Sequence, residues 1–372
     1  MFPWRIVANG VTKPLTALVN QMLSSGIFPH IFKQADIIPI FKRGTSDNAK
    51  NFRPIAILHN LSKIFENILY TRMLEFADAN EILPSNQFGF RKNFSTKDAI
   101  FYLFSLIEDN KARNLKSCVV FLDLSKAFDM VNHSQLIKVV ESLGFRGHIS
   151  SIIKSYLCNR RFRIHHENQY SKYMPVNRGV PQGGILSPFL YCLYTHDLCN
   201  KFSQTIQYAD DCSIIIPYND LGSLQTIITC FGNEINSYFS NLNLSLNPSK
   251  TEIVLFGERK CHSFKFCDEN IHSTTNTKFL GIFISNDCKF DYHVTKHLCL
   301  KIKMLYSSFY NLRNMISDET KRLLVTAYIL PHITYANPFL INCTSKTKSI
   351  LDITYKKAVK ILFRLPHRFP TK

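Results

Sequence analysis

The 372-residue sequence has no Cys-x-x-Cys pair, no internal repeat and no low-complexity tract. It also has no unbroken apolar run of the about 18 residues that a membrane span requires, so none is expected. The 11 Cys are scattered, and no secretory leader is read at the start. They therefore read as reduced core thiols of an intracellular protein, nuclear or cytoplasmic left open, rather than as a disulfide framework. Cys261, His262, Cys267 and His272 lie close together, but their spacing fits no common zinc motif. Acidic residues are few: 27 Asp and Glu against 45 Lys and Arg, a formal net charge of +18.

That imbalance points to a polyanionic partner, although a merely basic soluble protein would show it too. The excess is uneven. From Lys289 to the end there are 15 Lys and Arg against 4 Asp and Glu. A basic lobe beside a more neutral one suits a nucleic-acid clamp, because each neutralised phosphate releases counterions. The 372 residues are enough for two or three packed lobes, and a hydrophobic content of 45% excludes a disordered tail. Both ends are abrupt, as expected of a piece of a longer polyprotein.

Periodicity assigns the elements. Leu15 to Leu23 reads as helix, and Ile37 to Phe41 as a short strand. Leu61, Ile64, Phe65, Ile68, Leu69 and Met73 mark an amphipathic helix. A further helix is expected from Thr96 to Lys111. Cys118 to Leu122 is a continuous apolar run, as a buried strand should be. Ser134 to Leu143 reads as a helix that Gly144 ends. Ser187-Pro188 predicts a helix start with Ser as N-cap. Thr205 to Tyr208 and Ser213 to Ile216 are strands around a short turn. Leu221 to Leu242 is the clearest helix, and Thr251 to Phe256 is again a strand. From about 286 onward the chain is helical and basic, with Leu298, Ile302, Leu305, Phe309 and Leu312 on its apolar face.

Three carboxylates stand out against this pattern. Asp123 ends the apolar strand, and Asp210-Asp211 occupy the turn between two others. Charged residues at the ends of buried strands need a partner. Carboxylates held together repel, and a divalent cation removes that cost. Magnesium suits carboxylates that share an octahedral shell with substrate phosphates. A plain Asp-Asp hairpin turn is the competing reading of the pair.

The surrounding words favour the metal reading. The sequence resembles the reverse transcriptases of non-LTR retrotransposons through six blocks in the family's order. These are Asn51-Phe52-Arg53-Pro54-Ile55, Gln87-Phe88-Gly89-Phe90-Arg91, Phe121 to Asp129, Arg178 to Pro188, Tyr208-Ala209-Asp210-Asp211 and Phe279-Leu280-Gly281. The resemblance implies that Asp123, Asp210 and Asp211 are catalytic metal ligands, with the Leu122 and Leu124 carbonyls as further oxygens. It implies two Mg2+ ions, with Mn2+ as a substitute. It places Phe128 against the incoming sugar, where a ring would clash with a 2′-hydroxyl. Asp129 reads as a structural helix-start or turn contact. Gln182 and Gly183, in the Gly-rich loop, would meet the nascent base pair. Arg53 and Arg91 would contact triphosphate and template, with Lys42 and Arg43 as softer candidates. Lys250 would protonate the departing pyrophosphate, against the alternative of a solvated lysine. Phe279-Leu280-Gly281 resembles the hairpin that grips the primer, an ordinary core strand being the alternative.

The resemblance thus implies an α+β right-hand polymerase fold. Its fingers are expected at 1–116 and 141–186, its palm, with an antiparallel sheet, at 117–140 and 187–285, and its basic helical thumb at 286–372. The expected reaction is RNA-directed DNA polymerisation from a DNA primer and dNTPs on an RNA template, by two-metal phosphoryl transfer. The alternatives are a non-catalytic nucleic-acid-binding remnant of a retroelement, a group II intron maturase-like protein and an RNA-dependent RNA polymerase. One departure is His196, where family members often carry Asn. Nothing resembles an endonuclease or RNase H domain.

Overall fold

The apolar run at 118–122 lies inside the strand Lys116–Leu122, where every residue but the first is buried. The computed structural model describes residues 4–42, 44–366 and 368–370, with backbone only for 4–9 and Lys50. The chain forms two units. The first comprises Met1–Ala99, Leu122–Ile214 and Thr229–Lys250; the second comprises Ile100–Phe121, Ile215–Ile228 and Thr251–Lys372.

In the first unit, the strand Gln34–Phe41 pairs antiparallel with Phe52–Leu58 and parallel with Arg161–His166. Ala35, Ala56 and Leu58 bury one face, with Ile37 and Phe162 packed on it. On the other face Arg163 is paired with Asp36 at 2.7 Å. Helix Asn60–Ala79 buries Phe65, Leu69 and Met73 as its period predicts, and it also buries Glu66. Ile64 of the predicted stripe stays exposed. Helix His133–Ser142 is capped by Asn132, whose side chain accepts from the Gln135 amide at 3.1 Å. Gly144 follows it at φ +94°, the left-handed turn a glycine makes freely. Thr205–Tyr208 and Asp211–Tyr218 form a hairpin with Tyr208 opposite Asp211.

One expectation is corrected. Helix Leu186–Tyr194 starts a residue before Ser187, and no side chain of its own caps it. Ser187 is buried within the first turn. The Leu186 amide donates instead to Glu66 Oε2, at 3.3 Å. A buried carboxylate from another helix does what a serine cap would have done. Pro188 still sits in the first turn, where an amide has no intrahelical partner.

In the second unit the strands stand in the order Ser263–Phe266, Glu269–Thr274, Glu252–Phe256, Lys116–Leu122, then Asp211–Tyr218, which arrives from the first unit. Lys116–Leu122 and Glu252–Phe256 are antiparallel, Ser117 opposite Phe256. Phe279-Leu280-Gly281 lies at the hairpin of Asn276–Phe279 and Ile282–Ser285. Leu280 and Gly281 form its two-residue turn at φ +46° and +86°. The region after 286 is helical, as its pattern predicts, and ends in Ser345–Phe363. Leu298 and Ile302 are buried, whereas Leu312 is exposed.

The stretch Asp318–Asn342 is long and apolar enough, by length and composition, to cross a membrane. Polar residues interrupt it, so it contains no unbroken apolar run of that length. Cys261, His262, Cys267 and His272 lie on or beside the hairpin Ser263–Phe266 and Glu269–Thr274. Among the described residues they form no metal-holding group. None of the 11 cysteines is in a disulfide; six are buried, and Cys158, Cys230 and Cys261 are exposed.

Candidate active site

Asp123 follows directly on the strand Lys116–Leu122. Its carbonyl accepts from the Asn247 amide at 2.8 Å, and the Ser125 amide donates to the Ser245 carbonyl at 2.9 Å. These two bonds flank a bridge between Leu124 and Leu246, so the ladder takes nothing from the Leu124 carbonyl. The same pairing delivers Lys250, whose Nζ lies 3.3 Å from Asp123 Oδ2.

Asp210 and Asp211 sit at the hairpin turn, with Ala209 before them in the left-handed region at φ +60°. Both side chains reach solvent. Burial of their surroundings, then the negative charge of Asp123, pushes the Asp210 carboxyl up; Arg53 and Lys42 pull it back. Asp211 is pushed up to about 6 by burial, then by Asp210 and Asp123. The three expected carboxylates therefore share one electrostatic field. Among the described residues, no group of three or more His, Cys, Asp or Glu forms a ready-made coordination shell. Carboxylates that share a field repel, and the repulsion left after Lys250, Arg53 and Lys42 is what a divalent cation relieves. The donor set, hard oxygens in an electronegative field, fits such an ion.

An aromatic wall lies within electrostatic reach of Asp210 through Tyr191. Phe128 stacks on the fully buried Tyr191, ring centres 4.7 Å apart and 24° between planes. Phe90 meets Phe128 edge-on at 6.4 Å. The Gly-rich loop docks beside this wall. Gln182 Nε2 donates to Asp129 Oδ1 at 2.7 Å, so Asp129 ties two motifs together. Its carboxyl is pushed up by burial and drawn back by Gln182. Two of the loop's glycines lie tight against the chain's own backbone. A Cβ at Gly179 would lie 2.7 Å from the Asp129 carbonyl oxygen, and one at Gly183 2.6 Å from that of Ala56. The Ala56 amide in turn donates to the Gln182 carbonyl at 2.9 Å.

The basic candidates divide. Arg53 is exposed, lies opposite Ile40 in the hairpin ladder, and with Lys42 reaches Asp210 electrostatically. Arg91 is turned into its own loop. Its Nη1 donates to the Pro84 carbonyl at 2.7 Å and the Gln87 carbonyl at 3.3 Å, and its guanidinium lies over Phe94. Arg43 lies outside the described residues. His196 is engaged locally, its Nδ1 lying 3.0 Å from the Leu193 carbonyl, which can only accept.

Two supporting residues escaped the sequence reading. Glu66 is fully buried and gathers Ser62 Oγ, Tyr156 Oη and the Leu186 amide. A polar residue inside an apolar helical stripe was its only signal. Tyr191 is the floor under Phe128 and was indistinguishable from ordinary core.

The sequence matches the family described as reverse transcriptase (RNA-dependent DNA polymerase) over residues 40–284. It is 27% identical over 303 residues to the RNA-directed DNA polymerase from mobile element jockey of Drosophila melanogaster, covering 78% of this chain and 33% of that protein. It is 32% identical over 251 residues to the probable RNA-directed DNA polymerase from transposon BS of the same species, covering 64% and 27%. The chain thus spans about a third of the length of these relatives. Apo telomerase from Candida tropicalis shares the fold, with a TM-score of 0.51 at 14% identity over 95% of this chain and 68% of that one. The α+β polymerase fold and the resemblance drawn from the six blocks are both borne out: the match covers well over half the residues, and the chain belongs to the reverse transcriptase family.

Proposed function

We propose that this chain is a polymerase core that extends a DNA primer 3′-hydroxyl with dNTPs on an RNA template. The observation that carries this reading is the shared field of Asp123, Asp210 and Asp211, bordered by Lys250, Arg53 and Lys42. Asp123, Asp210 and Asp211, with the Leu124 carbonyl, are the residues that would hold two Mg2+ ions, or Mn2+. Such ions supply Lewis-acid polarisation of the phosphoryl group and ease ionisation of the attacking hydroxyl.

The remaining roles belong to the protein. Arg53 and Lys42 neutralise the triphosphate as it meets the carboxylates. Lys250 carries a proton at Nζ that the departing pyrophosphate oxygen can take, once nucleotide binding frees the ammonium from Asp123. The Phe128 ring, held from below by Tyr191, leaves no room for a 2′-hydroxyl. Gln182, oriented by Asp129, and Gly183 border the nascent pair. Arg91 shapes its loop and through it the template side. In this reading 1–116 with 141–186 act as fingers, 117–140 with 187–285 as palm and 286–372 as thumb.

The test is primer extension on an RNA template with dNTPs and magnesium. Product should form with the wild-type chain and vanish in Asp210→Asn and Asp211→Asn. Incorporation of NTPs in preference to dNTPs would favour an RNA polymerase instead. A wild-type chain that folds and binds template–primer yet adds no nucleotide would overturn the enzyme reading and leave a nucleic-acid-binding remnant.

A further inference from the structure

The loop before helix Thr96–Ala112 meets the carboxylate turn with no clearance. Segment 86–88 lies along the strand Thr205–Tyr208 as an extra edge. The Phe88 amide donates to the Gln207 carbonyl at 2.8 Å, and the Gln207 amide to the Asn86 carbonyl at 3.1 Å. Asn86 Nδ2 adds a bond to the Thr205 carbonyl at 2.7 Å. Gln87 is 1% exposed. Its Oε1 accepts from the Gly89 amide at 3.1 Å, and its Nε2 lies 3.1 Å from Cys192 Sγ. Gly89 is thereby pinned against the turn. A Cβ built on it would stand 2.3 Å from the Ala209 nitrogen and 2.9 Å from the Tyr208 carbonyl carbon. Both are backbone atoms of the hairpin that ends in Asp210, so nothing flexible can yield.

Two non-glycine residues beside this contact take left-handed backbone, Phe90 at φ +58° and Ala209 at φ +60°. Bulky residues rarely accept that conformation, and where they do the surroundings enforce it. Phe90 is 42% exposed, so burial does not hold it there. Its ring stands edge-on to Phe128. One short segment thus touches the backbone of the carboxylate turn through Gly89 and the aromatic wall through Phe90.

We propose that Gln87–Phe90 is a positioning element that sets both the height of the Asp210–Asp211 turn and the tilt of Phe128. It couples cation binding to sugar discrimination, and in the second respect it rests on the polymerase reading above. Gly89 is required because only a missing side chain lets the loop seat against Ala209. Phe90 limits how far the Phe128 ring can swing away from an incoming sugar.

The test compares wild type, Gly89→Ala, Phe90→Ala, Phe90→Trp and, as a control, Gly10→Ala, a helical position with nothing within 4 Å of the added Cβ. Mn2+ binding is followed by electron paramagnetic resonance, and nucleotide addition by steady-state kinetics. Gly89→Ala should weaken Mn2+ binding by roughly tenfold or more, the range seen when supporting contacts around a metal site are lost. Its kcat should fall while the KM for dNTP moves little. Gly10→Ala should match wild type in both. Phe90→Ala should lower the dNTP-over-NTP preference about tenfold, and Phe90→Trp should restore it. Wild-type Mn2+ affinity in Gly89→Ala, or an unchanged sugar preference in Phe90→Ala, would overturn the proposal. If Gly89→Ala fails to fold, Phe90→Ala alone decides, since its exposed ring is not needed for folding. If wild type binds Mn2+ but adds no nucleotide, the polymerase reading fails while the Gly89 arm is still decided by Mn2+ affinity.

Discussion

Asp211 shows how a single residue registers the demands of the site. Its carboxyl sits near 6 rather than 3.8, so the folded chain holds that proton more tightly than the unfolded chain does. The associated stability is full below about pH 4 and is lost as pH rises through about 6. Asp211→Asn should therefore stabilise the metal-free protein at neutral pH. The gain should be roughly 1 kcal/mol, because water reaches the side chain and screens part of the repulsion. Thermal melts at pH 4 and pH 7.5 check this: the difference between variant and wild type should appear only at the higher pH. On the proposed reading, adding Mg2+ should raise the wild-type melting temperature and leave the variant nearly unmoved, since the ion would bind the ionised cluster. Lys250 belongs to the same balance. Its Nζ stands 3.3 Å from Asp123 Oδ2, and the role expected of it requires that pair to open.

Among elements, helix Leu186–Tyr194 illustrates what local patterns miss. Ser-Pro reads as a start because serine caps and proline tolerates the first turn, and the start was right to within a residue. The cap itself came from Glu66, 120 positions away in the chain. Its burial pushes the carboxyl up, and the Leu186 amide draws it back. Glu66→Ala would take the acceptor from the Ser62 hydroxyl and the Leu186 amide, leave Tyr156 Oη with only Ser187 Oγ at 3.4 Å, and should cost about 2–4 kcal/mol. Glu66→Gln keeps an acceptor and should cost less than half as much; chemical denaturation of both variants measures the gap. Strands and helices with strong periodicity were legible, because burial on one face is written into spacing. Arg91 was legible as a basic residue of a motif, but not its engagement with the Pro84 and Gln87 carbonyls. The clearance at Gly89 was equally hidden, since it depends on which backbone the fold brings beside it.

For the whole molecule, charge is the property that composition determines outright. With +18 net charge, the template–primer binding proposed above should weaken steeply with salt, log Kd rising linearly with log salt at about 0.9 per phosphate neutralised on duplex. Removing the basic residues after Lys289 by multiple Lys→Gln substitution should flatten that slope, as fluorescence anisotropy across a salt series would report. The identity of the three carboxylates, the order of the six blocks and hence the family were determined by sequence alone, because they depend on which residues are present and in what order. The tertiary structure decided the rest: that Lys250 closes on Asp123, that Gln182 is held by Asp129, that Tyr191 underlies Phe128 and that Gly89 abuts Ala209. Each of these joins residues distant in the chain, and distances of a few ångströms between such residues are created by packing, which no local spacing encodes.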